Sequence, residues 1–237
     1  MALPKLITPT YELEVPSTDE KLKYRPFLVK EEKILMIAME SKENAQIVNA
    51  VKDIVSHCTF NKLDIGTMPM FDIEYIFLQI RAKSVGEVSK IKILCPDDKK
   101  TYASVEIDLT KIEVQVGDEH TNKIELTDDM GMILKYPTID SFSEGGIQDI
   151  NANNMIDMVG ACVLQIYEEK GEKVYEAKDQ TKKELAEFIE NLDTKQFKKV
   201  QKFFDTMPKL KHEMTIKNPK TKKESKITLN GLNDFFG

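Results

Sequence analysis

The segment Phe71-Asp-Ile-Glu-Tyr-Ile-Phe-Leu-Gln-Ile80 constrains the fold of this chain more than any other. At helical spacing Phe71, Tyr75, Leu78 and Ala82 line one face, while Ile73, Ile76, Phe77 and Ile80 cover much of the rest. A helix that is apolar on nearly all sides has no stripe to show to water, so other elements must surround it. The spacing therefore predicts a central, buried helix. The chain can supply the surrounding layers: it has 237 residues, of which 41% are hydrophobic and 31% charged, a composition too apolar for a disordered protein. That length suits one large domain or two small, intimately packed ones.

Upstream, Tyr11-Glu-Leu-Glu-Val15 alternates apolar and acidic residues as a half-buried strand does, and Lys21-Leu-Lys-Tyr-Arg25 alternates again after the turn cluster Pro16-Ser-Thr-Asp-Glu20. The two runs read as an N-terminal β-hairpin, with Glu12 and Glu14 set against Lys21, Lys23 and Arg25 across the strands. From Val29 the period becomes helical through Ile34, Leu35, Ala38 and Met39, and a second helix is predicted from Ala45 to Ser56 on the stripe Ile47, Val48, Val51, Ile54 and Val55.

The middle of the chain turns to β. Ser89-Lys-Ile-Lys-Ile-Leu-Cys95 and Tyr102-Ala-Ser-Val-Glu-Ile-Asp-Leu109 flank the turn Pro96-Asp-Asp-Lys-Lys100, and Glu113–Val116 and Lys123–Leu126 are expected to extend that sheet. Thr127 or Asp128 is placed to cap a short helix ending near Tyr136-Pro137. The Gly-, Asn- and Ser-rich stretch Ser143–Asn154 is the best linker, dividing the chain into residues 1–142 and 151–237, unless both form one packed domain. Beyond it we expect a helix from Met155 to Tyr167 and a short strand around Lys173-Val-Tyr175. Thr181 then opens a helix with capping-box spacing, and a further helix is capped by Asp193 and stopped by Pro208. Strands at Glu213–Ile216 and Lys226–Leu229 and the aromatic pair Phe235-Phe236 close the chain. The fold class is α+β: an N-terminal β-hairpin, packed helices, antiparallel β-hairpins, and a helical C-terminal part closed by a second, knuckle-like hairpin.

Two segments echo each other. Cys95-Pro-Asp-Asp-Lys-Lys100 and Asn218-Pro-Lys-Thr-Lys-Lys223 each sit between strands, a shape that carries Cys-x-x-Cys in zinc ribbons. Only Cys95 of the four ligand positions is a cysteine; Asp98, Asn218 and Thr221 occupy the others. Two plain hairpins without zinc are expected, because structural zinc needs four good ligands.

The net charge of −6 gives no total attraction to nucleic acid or an anionic membrane. No run approaches a membrane span, and the first residues lack the apolar core of a signal peptide. Three widely spaced cysteines argue against a disulfide framework and for synthesis in a reducing cytoplasm. Phosphate loops, nucleophile elbows and zinc-protease helices are absent from the sequence. His57-Cys58 places a base beside a thiol, but sequence neighbours point apart on a helix; His120 and His212 lie far from it along the chain. Asp72 and Glu74 complement the start of the central helix, with a buried pairing of Asp72, Arg81 and Arg25 as the sharper alternative. No enzyme and no cofactor are expected, with a small hydrolase or nucleotide-binding enzyme as the remote alternative.

Met1-Ala-Leu-Pro-Lys5, Tyr24-Arg-Pro-Phe-Leu-Val-Lys-Glu-Glu-Lys33, Met68-Pro-Met-Phe-Asp-Ile-Glu-Tyr75, Arg81-Ala-Lys-Ser-Val-Gly-Glu87 and Leu229-Asn-Gly-Leu-Asn-Asp-Phe-Phe236 resemble the baseplate hub assembly proteins of T-even-type myoviruses. The resemblance spans almost the whole chain. It implies a phage tail protein acting in baseplate assembly through protein contacts, either as a hub subunit or as a transient assembly chaperone absent from the virion. The partners it implies are other hub or tail proteins, with self-association open, in the host cytoplasm during assembly and in the tail baseplate if the chain is retained. It also implies cysteines at the knuckles, from which this chain departs at Asp98, Asn218 and Thr221. Tyr24 and Arg25 of the hairpin and Leu232, Phe235 and Phe236 of the tail are the expected interface residues, because apolar groups near a chain end are hard to bury within it.

Overall fold

The computed structural model describes residues 6–41, 43–140, 155–231 and 234. They form two compact units, one of Met1–Gln115 with Lys209–Gly237 and the other of Val116–Pro208. The expected linker and most of the C-terminal tail lie outside the described residues.

The first unit opens with the hairpin of β1 (Tyr11–Glu14) and β2 (Lys21–Tyr24), in which Glu12 faces Lys23 and Glu14 faces Lys21. Leu13, Leu22 and Tyr24 point the other way and are buried. Helices α1 (Val29–Ser41), α2 (Asn44–Cys58) and α3 (Met70–Val85) follow. The expectation for α3 holds: Ile73, Ile76, Leu78 and Ile80 are fully buried and Phe77 nearly so. Its N-terminus is tied to the hairpin, because the Ser17 N–H (3.0 Å) and the Ser17 hydroxyl both donate to the Asp72 carboxylate. Near its C-terminus the Ser84 hydroxyl accepts the Phe27 N–H at 2.9 Å.

A second hairpin joins β3 (Val88–Leu94) to β4 (Tyr102–Asp108), with Ile91 and Ile107 buried in one cluster with Leu78 and Ala82 of α3. The expectation that the next strands extend this sheet fails. Strand β5 (Glu113–Gln115) instead pairs with β10 (Lys209–Lys217), which pairs in turn with β11 (Glu224–Asn230). Leu210 and Leu229 of that sheet enter the same cluster as Leu78, so the C-terminal hairpin belongs to the unit built on α3. The compact units divide at 115/116 and 208/209.

The second unit is an antiparallel sheet in the order β6 (Lys123–Glu125), β7 (Met130–Leu134), β8 (Val163–Glu168) and β9 (Lys173–Glu176). Helices α4 (Met155–Cys162), α5 (Lys182–Glu190) and α6 (Thr194–Thr206) share a core with it, including Met132, Leu134, Val163, Leu185, Val200 and Phe203. Two expectations are corrected here. Met130–Leu134 is a central strand, not a helix: paired on both sides, it needs no polar alternation. Its Gly131 is required, since a Cβ there would collide with the Tyr167 phenol on β8. The helix from Met155 ends at Cys162, where the β-branched and aromatic run Val163-Leu-Gln-Ile-Tyr167 takes up strand geometry. The predicted capping boxes form as expected, at Thr181 with Glu184 and at Asp193 with Gln196.

Candidate interaction surfaces

Tyr24, at the end of β2, is only 2% exposed. Its ring lies 5.8 Å from that of Tyr11, and burial first, then the neighbouring Tyr75, Tyr11 and Glu87, push its phenol up to about 12. In this conformation it offers no surface to a partner. Arg25 is drawn inward as well. Its guanidinium donates to Glu31 Oε1 at 2.9 Å and to the Pro26 carbonyl at 2.9 Å, while Glu31 Oε2 accepts the Leu28 N–H at 2.8 Å. Burial alone would raise the pKa of Glu31, but these hydrogen bonds and the Arg25 charge carry it below its ordinary value. The pair clamps the start of α1 to the chain leaving β2. Leu232, Phe235 and Phe236 lie outside the described residues.

The alternative pairing of Asp72, Arg81 and Arg25 is not assembled. Asp72 accepts from Ser17, Arg25 pairs with Glu31, and nine residues of continuous helix separate Asp72 from Arg81 by about 13 Å.

The two knuckles do meet. The Asn218 amide donates to Asp97 Oδ1 at 2.9 Å and the Thr221 hydroxyl to Asp97 Oδ2 at 2.6 Å. Each knuckle also closes on itself: Asp98 accepts from the N–H groups of Lys100 and Thr101 and from the Thr101 hydroxyl, and Asn218 Oδ1 accepts from the N–H groups of Lys220 and Thr221. Lys99 and Lys222, the fifth residue of each knuckle, both adopt positive φ (51° and 64°), and each donates its N–H to the carbonyl of its knuckle's first residue, Cys95 or Asn218. The donor set does not fit zinc. It offers one thiol, which burial and the nearby Asp97 and Asp98 charges push up, and an amide and a hydroxyl already committed to Asp97. Among the described residues no group of three or more His, Cys, Asp or Glu could hold a metal. Hydrogen bonds join the hairpins where a metal would in a zinc ribbon.

Of the histidines, His120 is the one held by side-chain hydrogen bonds among the described residues. His57 is exposed on the last turn of α2, whereas Cys58 is buried and its thiol is pushed up to about 11, chiefly by burial. His120 hydrogen-bonds Thr206 Oγ1 (2.9 Å) and the Tyr136 hydroxyl (3.0 Å), and its ring lies 5.2 Å from that of Phe203. Because the Thr206 hydroxyl donates to the Lys202 carbonyl, it accepts from His120 Nδ1–H, leaving Nε2 to accept from Tyr136. Burial lowers the pKa of His120, consistent with a neutral ring.

The largest departure from expectation is on α1. Its buried side is narrow, limited to Glu31 and Ala38. Val29 (81%), Met36 (57%), Ile37 (54%) and Met39 (50%) are exposed, as are Leu28 and Ile34. Scattered apolar residues on a surface are ordinary, but several on one short helix form a patch of the kind that marks a binding surface.

A family model described as T4 bacteriophage base plate protein matches residues 8–237. The chain belongs to that family. No curated protein and no solved structure matches it. Among the described residues of this baseplate protein, no helix is long and apolar enough to cross a membrane.

Of the residues expected at the interface of this baseplate protein, Tyr24 and Arg25 are held within the fold. The exposed apolar surface stands instead on α1, a few residues further along the chain. The sequence carries a signal for it. Ile34-Leu-Met-Ile-Ala-Met39 is an unbroken apolar run, more than a helix with a single buried stripe requires. Ile34, Leu35, Ala38 and Met39 share helical spacing, but the structure buries Ala38 and leaves Ile34 and Met39 outside.

Proposed function

We propose that this baseplate protein acts at the hub of the baseplate, by protein–protein contacts and without catalysis. The observation that carries the reading is the exposed apolar face of α1 on a chain whose family match runs from residue 8 to its end. The hub assignment rests on the resemblance of the N-terminal, α3 and C-terminal segments to hub assembly proteins of T-even-type phages. Two routes to that function differ in outcome: a subunit retained in the tail, or an assembly factor that leaves. Mass spectrometry of purified virions separates them, since a retained subunit appears in the particle in stoichiometric amount and a transient factor does not.

The C-terminal segment with Leu232, Phe235 and Phe236 is proposed as a second anchor, inserted into a pocket on another tail protein. A chain ending at Gly231 tests this by thermal melting and by co-purification with other tail proteins. Unchanged melting with lost association supports the anchor. Lost folding, or association that persists, overturns it.

A further inference from the structure

We propose that the joined tips of the two knuckles form a basic docking surface for a short acidic segment of another protein. Residues 95–101 and 217–224 hold six lysines, Lys99, Lys100, Lys217, Lys220, Lys222 and Lys223, against three acids, Asp97, Asp98 and Glu224. Their net charge is +3 on a chain of net −6, so all other residues together carry −9. Extending the two windows to 92–104 and 215–226 adds only further lysines, Lys92 and Lys226.

Tertiary structure makes this a surface. Asp97 holds the tips together through Asn218, 121 residues away, and Thr221, so lysines from distant segments share one end of the first unit. All six lysines are exposed, whereas Asp97 and Asp98 are half-buried and turned into the knuckles. The oxygens of these two acids accept from the Asn218 amide, the Thr221 and Thr101 hydroxyls and the N–H groups of Lys100 and Thr101. Glu224 lies 3.9 Å from Lys217, and the Lys222 ammonium donates to the Pro219 carbonyl at 2.7 Å. Among the described residues Lys99, Lys100, Lys220 and Lys223 have no ion-pair partner.

An acidic protein segment fits this surface better than a nucleic acid does. The patch is about as wide as the spacing of two packed sheets, roughly 10 Å. It ends along the strands, where Lys90 pairs with Glu106 and Lys211 with Glu213. A phosphate backbone running past it meets a chain that carries −9 elsewhere, within little more than a Debye length, about 10 Å at 0.1 M salt. Neither knuckle has an arginine to grip a phosphate through two hydrogen bonds. Tyr102, the nearest exposed aromatic in sequence, lies on the strand face opposite Ala103, which packs with Ile216 of the second hairpin. Its ring is therefore turned away from the second knuckle and offers those lysines no stacking platform. Carboxylates clustered on a folded partner need no room beyond the patch and complement its sign.

Fluorescence anisotropy of the full chain tests this with two labelled probes of equal charge, a peptide of alternating glutamate and serine and a single-stranded oligonucleotide. The surface rests on the reading that the chain works by protein contacts, but neither probe is a tail protein, so each can fail without the other. The peptide should bind reversibly at low salt, more tightly than the oligonucleotide, and about tenfold more weakly at physiological ionic strength. Lys100→Glu and Lys223→Glu, one on each knuckle, should each weaken peptide binding about threefold or more. Together they take the patch from +3 to −1 and should weaken binding about tenfold or more, with the melting transition in place because both side chains are exposed. The same reversals at exposed Lys195 and Lys198 of α6 should leave peptide binding within about twofold of the parent. The proposal is overturned by a peptide that does not bind at low salt, or by an oligonucleotide that binds more tightly. It is overturned equally by a reversal on either knuckle that leaves binding unchanged, or by α6 reversals that weaken it as much.

Discussion

Helices α3 and α1 have similar apolar content and opposite fates. In α3 the apolar residues go all the way round, and elements from both ends of the chain close over them: the N-terminal hairpin at Asp72, the β3–β4 hairpin at Ile91 and Ile107, and the C-terminal hairpin at Leu210 and Leu229. In α1 an unbroken apolar run from Ile34 to Met39 is packed on one narrow side only. An apolar helix surface states a demand for neighbours but does not say whether this chain or another supplies them. That difference separates a helix enclosed by its own chain from one whose apolar side stays exposed.

The contrast can be broken by substitution, most sharply in α3. Phe77→Ala removes a nearly buried ring and should cost about 3–5 kcal/mol, comparable with a small domain's whole stability. Thermal or urea unfolding reads this directly, and an unchanged midpoint would make α3 peripheral.

At the foot of α1, Glu31→Ala leaves Arg25 without its carboxylate. Because Arg25 keeps some contact with water, the expected loss is about 2–3 kcal/mol, less than for a fully buried pair. The same pair sets a pH dependence. The folded pKa of Glu31 is depressed, so its contribution is complete above the unfolded value, about 4.3, and is lost as pH falls through the lower folded value. Stability curves of the parent and Glu31→Gln should therefore converge at acid pH; curves that stay parallel would show that the ion pair contributes nothing.

A smaller effect is expected at the knuckles. Asn218 is buried and bridges to Asp97, so Asn218→Ala should cost about 1–2 kcal/mol. Adding a zinc chelator should leave the melting temperature of the parent chain unchanged. A chelator-sensitive transition would mean that a metal, rather than these hydrogen bonds, joins the hairpins.

The smallest effect belongs to the outer stripe of α1. Met36→Ser should change stability by no more than about 0.5 kcal/mol, since its side chain is more than half exposed. A loss approaching that of Phe77→Ala would show that Met36 is packed within the chain.

What could be read from the sequence was local. The hairpin of Tyr11–Glu14 with Lys21–Tyr24, the three early helices, the capping boxes at Thr181 and Asp193 and the twin knuckles are each specified by residues a few positions apart, through alternation, spacing, or a side chain reaching its own backbone. Even the burial of α3 was legible, because a helix without a polar side has only one stable place. Tertiary structure decided what depends on distant partners. Met130–Leu134 is a strand because β6 and β8 flank it, and neither its period nor its length distinguishes it from a short helix. The division between units follows β10, which returns across the whole second unit's length of sequence to pair with β5. Tyr24 is buried beside Tyr11 and Arg25 is held by Glu31, while Met36 and Ile37 are left outside. Burial is a property of what arrives opposite a side chain, and for α1 nothing within the described chain arrives there.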